Sequence, residues 1–256
     1  MTRDKSTYSV QTVEKALDLL EALTDETPPP TLPNLAERLG LSRNKVFRLL
    51  ATLESRGLVE REEGSGVYRI GLSSVALAQR FINSASLIKH AHPVMEELAR
   101  KHDEAIYLTV LMGDEVLFLD MVDCLQNVKT TPMVGKRFPF FTNAAGKVLK
   151  ALESQELLEK LFKRRGRRKD LPDLAALGSE LHAIREKGVA VDQGGLGEGV
   201  VSVAVTIRDY AGKVICALAM MGPSFRMLTD RLENEIIPSL QEGAEVLSMK
   251  FGYARF

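Results

Sequence analysis

The sequence predicts an α+β protein in two parts: a winged helix-turn-helix over the first seventy or so residues, then a larger domain built on an antiparallel sheet. Three observations predict it. Apolar residues recur at helical spacing around a glycine turn between residues 31 and 57, and a short glycine-rich hairpin follows. Two pairs of strand-forming runs, at 105–122 and 200–221, each surround a tight turn. The 256 residues exceed the roughly 150 that one core commonly organises.

Taken in chain order, Ser9 is a candidate N-cap. Val13, Ala16, Leu17 and Leu20 then predict a helix of about four turns that ends before Pro28, Pro29 and Pro30. Thr31 can cap a short helix with Leu35, Ala36 and Leu39 on one face, and Gly40 stands where a left-handed residue stops it. Leu41 fills the corner. Ser42 caps a third helix whose stripe is Val46, Leu49, Leu50 and Leu53. At 100° per residue, Asn44, Lys45, Arg48, Ala51, Thr52 and Ser55 point away from that stripe.

Any solvated helix has a polar outer face. Here, however, Arg43, Lys45, Arg48 and Arg56 meet a single carboxylate, Glu54, between residues 42 and 57. Arg and Lys can bond guanine or neutralise phosphate, and Asn can bond adenine, so Ser42, Arg43, Asn44, Lys45, Arg48 and Thr52 are candidate contacts to double-stranded DNA. Gly57 ends the helix, and residues 58–61 and 67–70 pair as a wing across Glu62, Glu63, Gly64, Ser65 and Gly66. The acidic tip repels phosphate, which leaves Arg61 and Arg69 as the wing's candidate backbone contacts.

Composition adds mostly exclusions. A 45% hydrophobic and 27% charged chain is ordinary for a globular protein, and 34 basic residues cancel 34 acidic ones, so any nucleic-acid site must be local. Cys124 and Cys216 are too few for a disulfide framework and read as buried fillers in a reducing compartment. The polar start and the lack of a long apolar run predict no membrane span and a cytoplasmic location.

Residues 72–103 read as a helical connector, carrying Leu72, Val75, Ala76 and Phe81, then Leu87, Ala91, Val94, Met95 and Leu98, with Pro93 able to start or kink its second helix. Its apolar surplus suits either a dimer contact or packing within one subunit. Beyond it, 105–112 and 116–122 form a hairpin around Gly113 and Asp114, and 200–208 with 213–221 form another around Tyr210, Ala211 and Gly212. Leu232, Ile236, Leu240 and Leu247 line a last helix. Thr142 can cap a helix whose first turn holds Asn143, Ala144 and Ala145, while Ala145, Val148, Leu149 and Leu152 face the core. Small side chains at a helix start can expose N–H groups to an anion, or can simply reflect tight packing.

Other motifs carry less. The run Gly194–Gly199 precedes a strand rather than a helix and lacks a Gly-Lys-Ser/Thr ending; it reads as a turn at the rim of a pocket. Gly146 and Lys147 lack the upstream glycine of a phosphate loop, position 141 being Phe. His90 and His92 point apart on a helix and share no metal, and His102 and His182 have no catalytic context. The basic run Lys163–Lys169 reads as a solvated loop, with contact to DNA or an anionic partner as the alternative. No paired carboxylates, nucleophile with a base, or metal cluster assembles from these motifs, so no catalysis, metal or cofactor is expected.

Several segments together carry a family resemblance: residues 9–20 (SVQTVEKALDLL), 35–42 (LAERLGLS), 48–59 (RLLATLESRGLV), 68–72 (YRIGL), 138–149 (FPFFTNAAGKVL), 184–192 (IREKGVAVD), and 212–214 through Gly222 and Pro223. In this order and spacing they resemble the IclR family of bacterial transcription regulators over nearly the whole chain. The resemblance implies domains at 1–71 (winged helix-turn-helix), 72–103 (connector) and 104–256 (a GAF-like effector domain with an antiparallel sheet flanked by helices). It also implies a homodimer or dimer of dimers on a partly palindromic operator.

In proteins this sequence resembles, the effector pocket is lined at positions matching Asn127, Thr130, Ala144, Ala145, Asp192, Val200, Ser202, Ala219 and Met221. The chain departs from the best-studied pattern there. Ala219 and Met221 replace serines that some relatives binding small carboxylic acids carry, and Ser202 stands where cysteine is frequent. Asp192 would repel a second carboxylate unless it accepts a ligand hydroxyl or is protonated. The resemblance thus implies an effector that is an organic acid with an apolar or hydroxylated body.

Overall fold

The structure, a computed structural model, describes residues 10–24, 30–84, 86–151 and 173–253. Its contacts divide the chain into two compact units, between residues 85 and 86.

In the first unit, α1 (Gln11–Ala22), α2 (Leu32–Leu39) and α3 (Arg43–Ser55) precede a hairpin of β1 (Val59–Arg61) and β2 (Tyr68–Ile70), and α4 (Leu72–Ser84) follows. The stripe predicted for α3 is buried as a whole, with Val46 and Leu50 fully covered, and it packs with Leu35 and Ala36 of α2. Gly40 ends α2 with φ of 61°, and the Leu41 N–H returns to the Ala36 carbonyl at 3.0 Å, which makes the sharp turn into α3. The Ser42 hydroxyl accepts the Lys45 N–H at 3.4 Å.

Two details differ from expectation. The stripe of α1 is shifted: Leu19, Ala22 and Leu23 are buried with Ala16 and Leu20 packed beside them, whereas Val13 and Leu17 are each 56% exposed. The core covers the second half of the helix, so the apolar residues of its first turns stay in water. The helix begins after Val10 without a side-chain cap, and Ser9, Pro28 and Pro29 lie outside the described residues. Thr31 stands at the N-cap position of α2, but its side chain caps nothing. It instead forms a bridge to Val67, and the Tyr68 N–H donates to the Pro30 carbonyl at 3.0 Å, so this segment makes a third rung beside the wing.

The second unit contains α5 (Ser86–His102) and six strands: β3 (Ala105–Met112), β4 (Glu115–Val122), β5 (Arg137–Pro139), β6 (Val189–Gln193), β7 (Val200–Arg208) and β8 (Val214–Pro223). They form one antiparallel sheet in the order β5-β4-β3-β8-β7-β6. Both predicted hairpins are present; β5 and β6 add the edges. Because strand residues alternate sides, Leu218 faces α5 and the C-terminal helix α8 (Ile237–Lys250), where a Cβ on Gly243 would lie 3.1 Å from Leu98. Ala217, Ala219 and Met221 face the other way, toward α6 (Ala144–Lys150) and α7 (Leu174–Lys187).

α5 runs through Pro93 without interruption. Leu232, Ile236, Leu240 and Leu247 are all buried as expected, although Leu232–Ile236 winds as a π turn just before Pro238, whose nitrogen has no proton to donate. Cys124 and Cys216 are both buried free thiols, and burial pushes the Cys216 thiol up to about 12. Among the described residues, no helix is long and apolar enough to cross a membrane, and no three His, Cys, Asp or Glu residues gather where they could hold a metal ion.

Candidate functional sites

The first candidate site is the outer face of α3. Burying Val46, Leu49, Leu50 and Leu53 leaves Ser42, Arg43, Asn44, Lys45, Arg48 and Thr52 all exposed. Five of these six, all but Arg43, line one open concavity, and Thr12 of α1 joins them there, a residue that pattern reading of α3 alone could not supply. The Thr52 hydroxyl donates to the Arg48 carbonyl at 2.8 Å, so toward a ligand it is an acceptor. Phe47 on the same helix is 53% exposed, a large aromatic amid polar neighbours.

The wing is paired as predicted, Val59 with Ile70 and Arg61 with Tyr68. Its two arginines are not equally free. Arg69 forms an ion pair with Glu62 at 3.0 Å, whereas the Arg61 guanidinium lies over the Tyr68 ring, 5.8 Å from its centroid. Glu62 therefore does more than repel phosphate: it engages one of the two cations expected to attract it.

The second candidate site lies on the α6 side of the sheet. Register places Asp192, Ser202, Met221 and Ala105 in one row across four strands, and Ala190, Ala204, Ala219 and Tyr107 in the next. Ala144 and Ala145 pack against these rows from the start of α6. Small side chains on both surfaces allow the close approach. A Cβ on Gly146 would lie 2.1 Å from the Phe140 carbonyl oxygen, so only glycine fits there. Thr130 is buried in the connection after β4, Asn127 in the same connection is exposed, and Val200 is half-buried at the start of β7.

The polar groups at this site are more committed than the sequence suggested. Asn143, not Thr142, caps α6: its side-chain oxygen accepts the Gly146 N–H at 2.8 Å, while Thr142 donates to the Pro139 carbonyl in the preceding turn. The Ala144 N–H donates to the Ser202 hydroxyl at 3.3 Å. Two N–H groups of the first turn, those of Ala144 and Gly146, thus already have partners within the protein.

Asp192 is not an unpaired repulsive charge either. One of its oxygens accepts from the buried Lys147 ammonium at 2.7 Å and the other from the Gly195 N–H at 3.0 Å; Lys147 also reaches Glu180 at 2.8 Å. Burial opposes the Lys147 charge, but the hydrogen bonds it donates to Asp192 and Glu180 outweigh this and hold its pKa above the ordinary lysine value. Gly195 is packed so closely that an added Cβ would meet the Thr142 carbonyl oxygen at 2.1 Å. The glycine run is therefore a loop tied to the turn before α6.

Two hydroxyls remain unsatisfied. Among the described residues, the Tyr107 phenol and the Thr130 hydroxyl are buried with no hydrogen-bond partner. Burial pushes the Tyr107 phenol up, partly offset by the Thr130 hydroxyl and the Met133 backbone, which lie beside it without hydrogen-bond geometry. Tyr107 had no signal in the sequence beyond its place in a strand. Of the histidines set aside, His92 bonds Asp120 at 2.7 Å and His90 the Ser86 carbonyl at 2.7 Å, so they do point to different partners. The basic run 163–169 lies outside the described residues.

Comparison with known proteins matches both units. Residues 12–63 fit the IclR helix-turn-helix domain, and residues 79–249 fit the bacterial transcriptional regulator IclR C-terminal domain. The HTH-type transcriptional regulator KdgR of Escherichia coli is 31% identical over 98% of this chain and 96% of its own. The transcriptional repressor IclR of Escherichia coli is 26% identical over 98% of this chain and 93% of its own. Among solved structures, an IclR-type transcriptional regulator from Alicyclobacillus acidocaldarius superposes with a TM-score of 0.84 at 25% identity, covering 96% of this chain and 100% of that one. An IclR homolog from Microbacterium hydrocarbonoxydans complexed with 4-hydroxybenzoate has a TM-score of 0.78 at 24% identity, covering 94% and 98%.

Proposed function

The chain belongs to the IclR family of bacterial transcription regulators, and we propose that it reads a specific, partly palindromic operator through α3 as a homodimer or dimer of dimers, under control of an organic acid. The DNA-binding helix-turn-helix and the effector-binding C-terminal domain follow from the family; the operator, the contacts and the effector chemistry are our reading. The observation that carries it is the exposed face of α3, where Ser42, Arg43, Asn44, Lys45, Arg48 and Thr52 all stand in solvent on a helix held by a buried stripe. Two-fold symmetry would set two such helices about one DNA turn apart and double the contacts. Arg61 is the wing's phosphate contact, and Arg69 contributes less because Glu62 holds it.

For the effector, the unsatisfied hydroxyls of Tyr107 and Thr130 support a ligand with a hydrogen-bonding end, since buried polar groups ordinarily find partners. Ala105, Ala145, Ala219 and Met221 supply apolar surface for its body. With Lys147 committed to Asp192 and Glu180, a carboxylate is held by hydroxyl donors and not by a free cation. An aromatic hydroxy acid fits this description, and 4-hydroxybenzoate, bound by a protein of the same fold, is the first probe.

The test combines two measurements on the full chain: selection of a DNA sequence from a random duplex library, and melting temperature with each of a panel of aromatic, aliphatic and compact polar acids. The expected result is an operator preferred over random DNA by about 10³-fold or more, and an aromatic or hydroxylated acid that raises the melting temperature and changes operator affinity. A panel in which only very small polar acids bind overturns the effector reading. Equal affinity for all duplexes overturns the operator reading.

A further inference from the structure

We infer that Phe47 is a specificity-determining residue that reads thymine by packing on its C5 methyl group; this rests on the operator reading above. Phe47 is the fifth residue of α3, in the half of a recognition helix that meets base edges. It is 53% exposed, while the four apolar residues of the helix's own stripe are nearly covered. The side chain is thus outside the core, and truncating it should cost the first unit little of its packing.

Its neighbours one turn away are Arg43, Asn44 and Ala51, and all three are exposed. A second protein subunit seated on an apolar anchor would have to accept the Arg43 cation beside it, which has no ion pair among the described residues. An anionic duplex accepts it as it stands, so charge complementarity favours DNA as the occupant. Within the major groove, the base edges present hydrogen-bond donors and acceptors almost throughout, and the thymine methyl is the one apolar feature. A phenyl ring cannot exchange hydrogen bonds with guanine or adenine edges, so the favourable place for it in that groove is against a methyl. Ala51, small and on the same flank, leaves room for a base to approach the ring.

The experiment uses the full chain and the duplex enriched by selection. Each thymine is replaced in turn by deoxyuridine, which removes only the methyl group, and affinity is measured by fluorescence anisotropy for the wild type, Phe47→Ala and Phe47→Leu. The expected result is a thymine position at which demethylation weakens the wild type about fourfold, the equivalent of about 0.8 kcal/mol for one buried methyl-sized group. Phe47→Ala should be indifferent at that position, and Phe47→Leu should keep part of the effect. A wild type indifferent to every demethylation overturns the proposal, as does a Phe47→Ala protein that retains the wild-type sensitivity. A selection that enriches no sequence overturns the operator reading and this proposal with it, whereas a successful selection with no methyl-dependent position overturns this proposal alone.

Discussion

Arg48 on α3 and Lys147 on α6 are both cations at the centre of a candidate site, and their surroundings are opposite. Arg48 stands in solvent in an open concavity. Lys147 is buried and held between two carboxylates at 2.7 and 2.8 Å. An exposed cation exchanges one solvated state for another when a polyanion arrives, so it is available for recognition at little cost to the fold. A buried cation has been removed from water and its partners are part of the structure, so it is committed to holding the site together. The same residue chemistry therefore signals binding in one unit and architecture in the other.

The strongest way to break this contrast is Lys147→Met. It leaves Asp192 buried without its cation and should cost about 3–5 kcal/mol of stability, read as a lower denaturant midpoint; a cost below about 1 kcal/mol would place Lys147 with the solvated cations. The alkaline limb of stability gives a second reading. Because the folded pKa of Lys147 lies above the unfolded value near 10.5, its contribution is whole below that pH and is lost as pH rises through the folded value. The wild type should lose this stability in strong alkali, and Lys147→Met should not.

Arg48→Ala sharpens the other side. It should lower affinity for the selected operator by about 1–3 kcal/mol while moving stability by no more than about 0.5 kcal/mol. An equal loss on random DNA would make Arg48 a phosphate contact. The smallest effect is expected from Arg69→Ala, since its exposed ion pair with Glu62 is worth about 0–1 kcal/mol and is screened by salt. The slope of log affinity against log salt should hardly change for Arg69→Ala, whereas Glu62→Gln, by releasing Arg69, should steepen it by about one. A slope that flattens by about one in Arg69→Ala would put that arginine on phosphate despite Glu62.

The parts of this molecule legible in the sequence are those specified by neighbours. The α3 stripe, the Gly40 turn and the two long hairpins depend on periodicity and turn chemistry within a dozen residues. α1 was misread because its twelve residues carry more apolar side chains than one face holds, and only the tertiary contacts decide that Leu19 and Leu23 are covered while Val13 and Leu17 are not. β5 spans three residues, Arg137–Pro139, too few to show alternation, and its identity as a strand comes from pairing with β4. The role of Lys147 was invisible for the same reason: its partners Glu180 and Asp192 stand 33 and 45 residues away. Small residues at 144–146 announced a close approach, but which N–H groups that approach would consume depends on Ser202 and the turn before the helix.

The glycine at 146, pressed to within 2.1 Å of the Phe140 carbonyl by any added Cβ, has a consequence for how this sensor can be retuned. In the proposed effector site the helix side is fixed, since substitution at 146 or at Gly195 pushes on backbone. On the sheet side, Ala219 and Met221 meet that helix through side chains and not through backbone. A biosensor for a larger or smaller effector is therefore best sought by varying the volume of positions 219 and 221 while leaving 144–146 as they are.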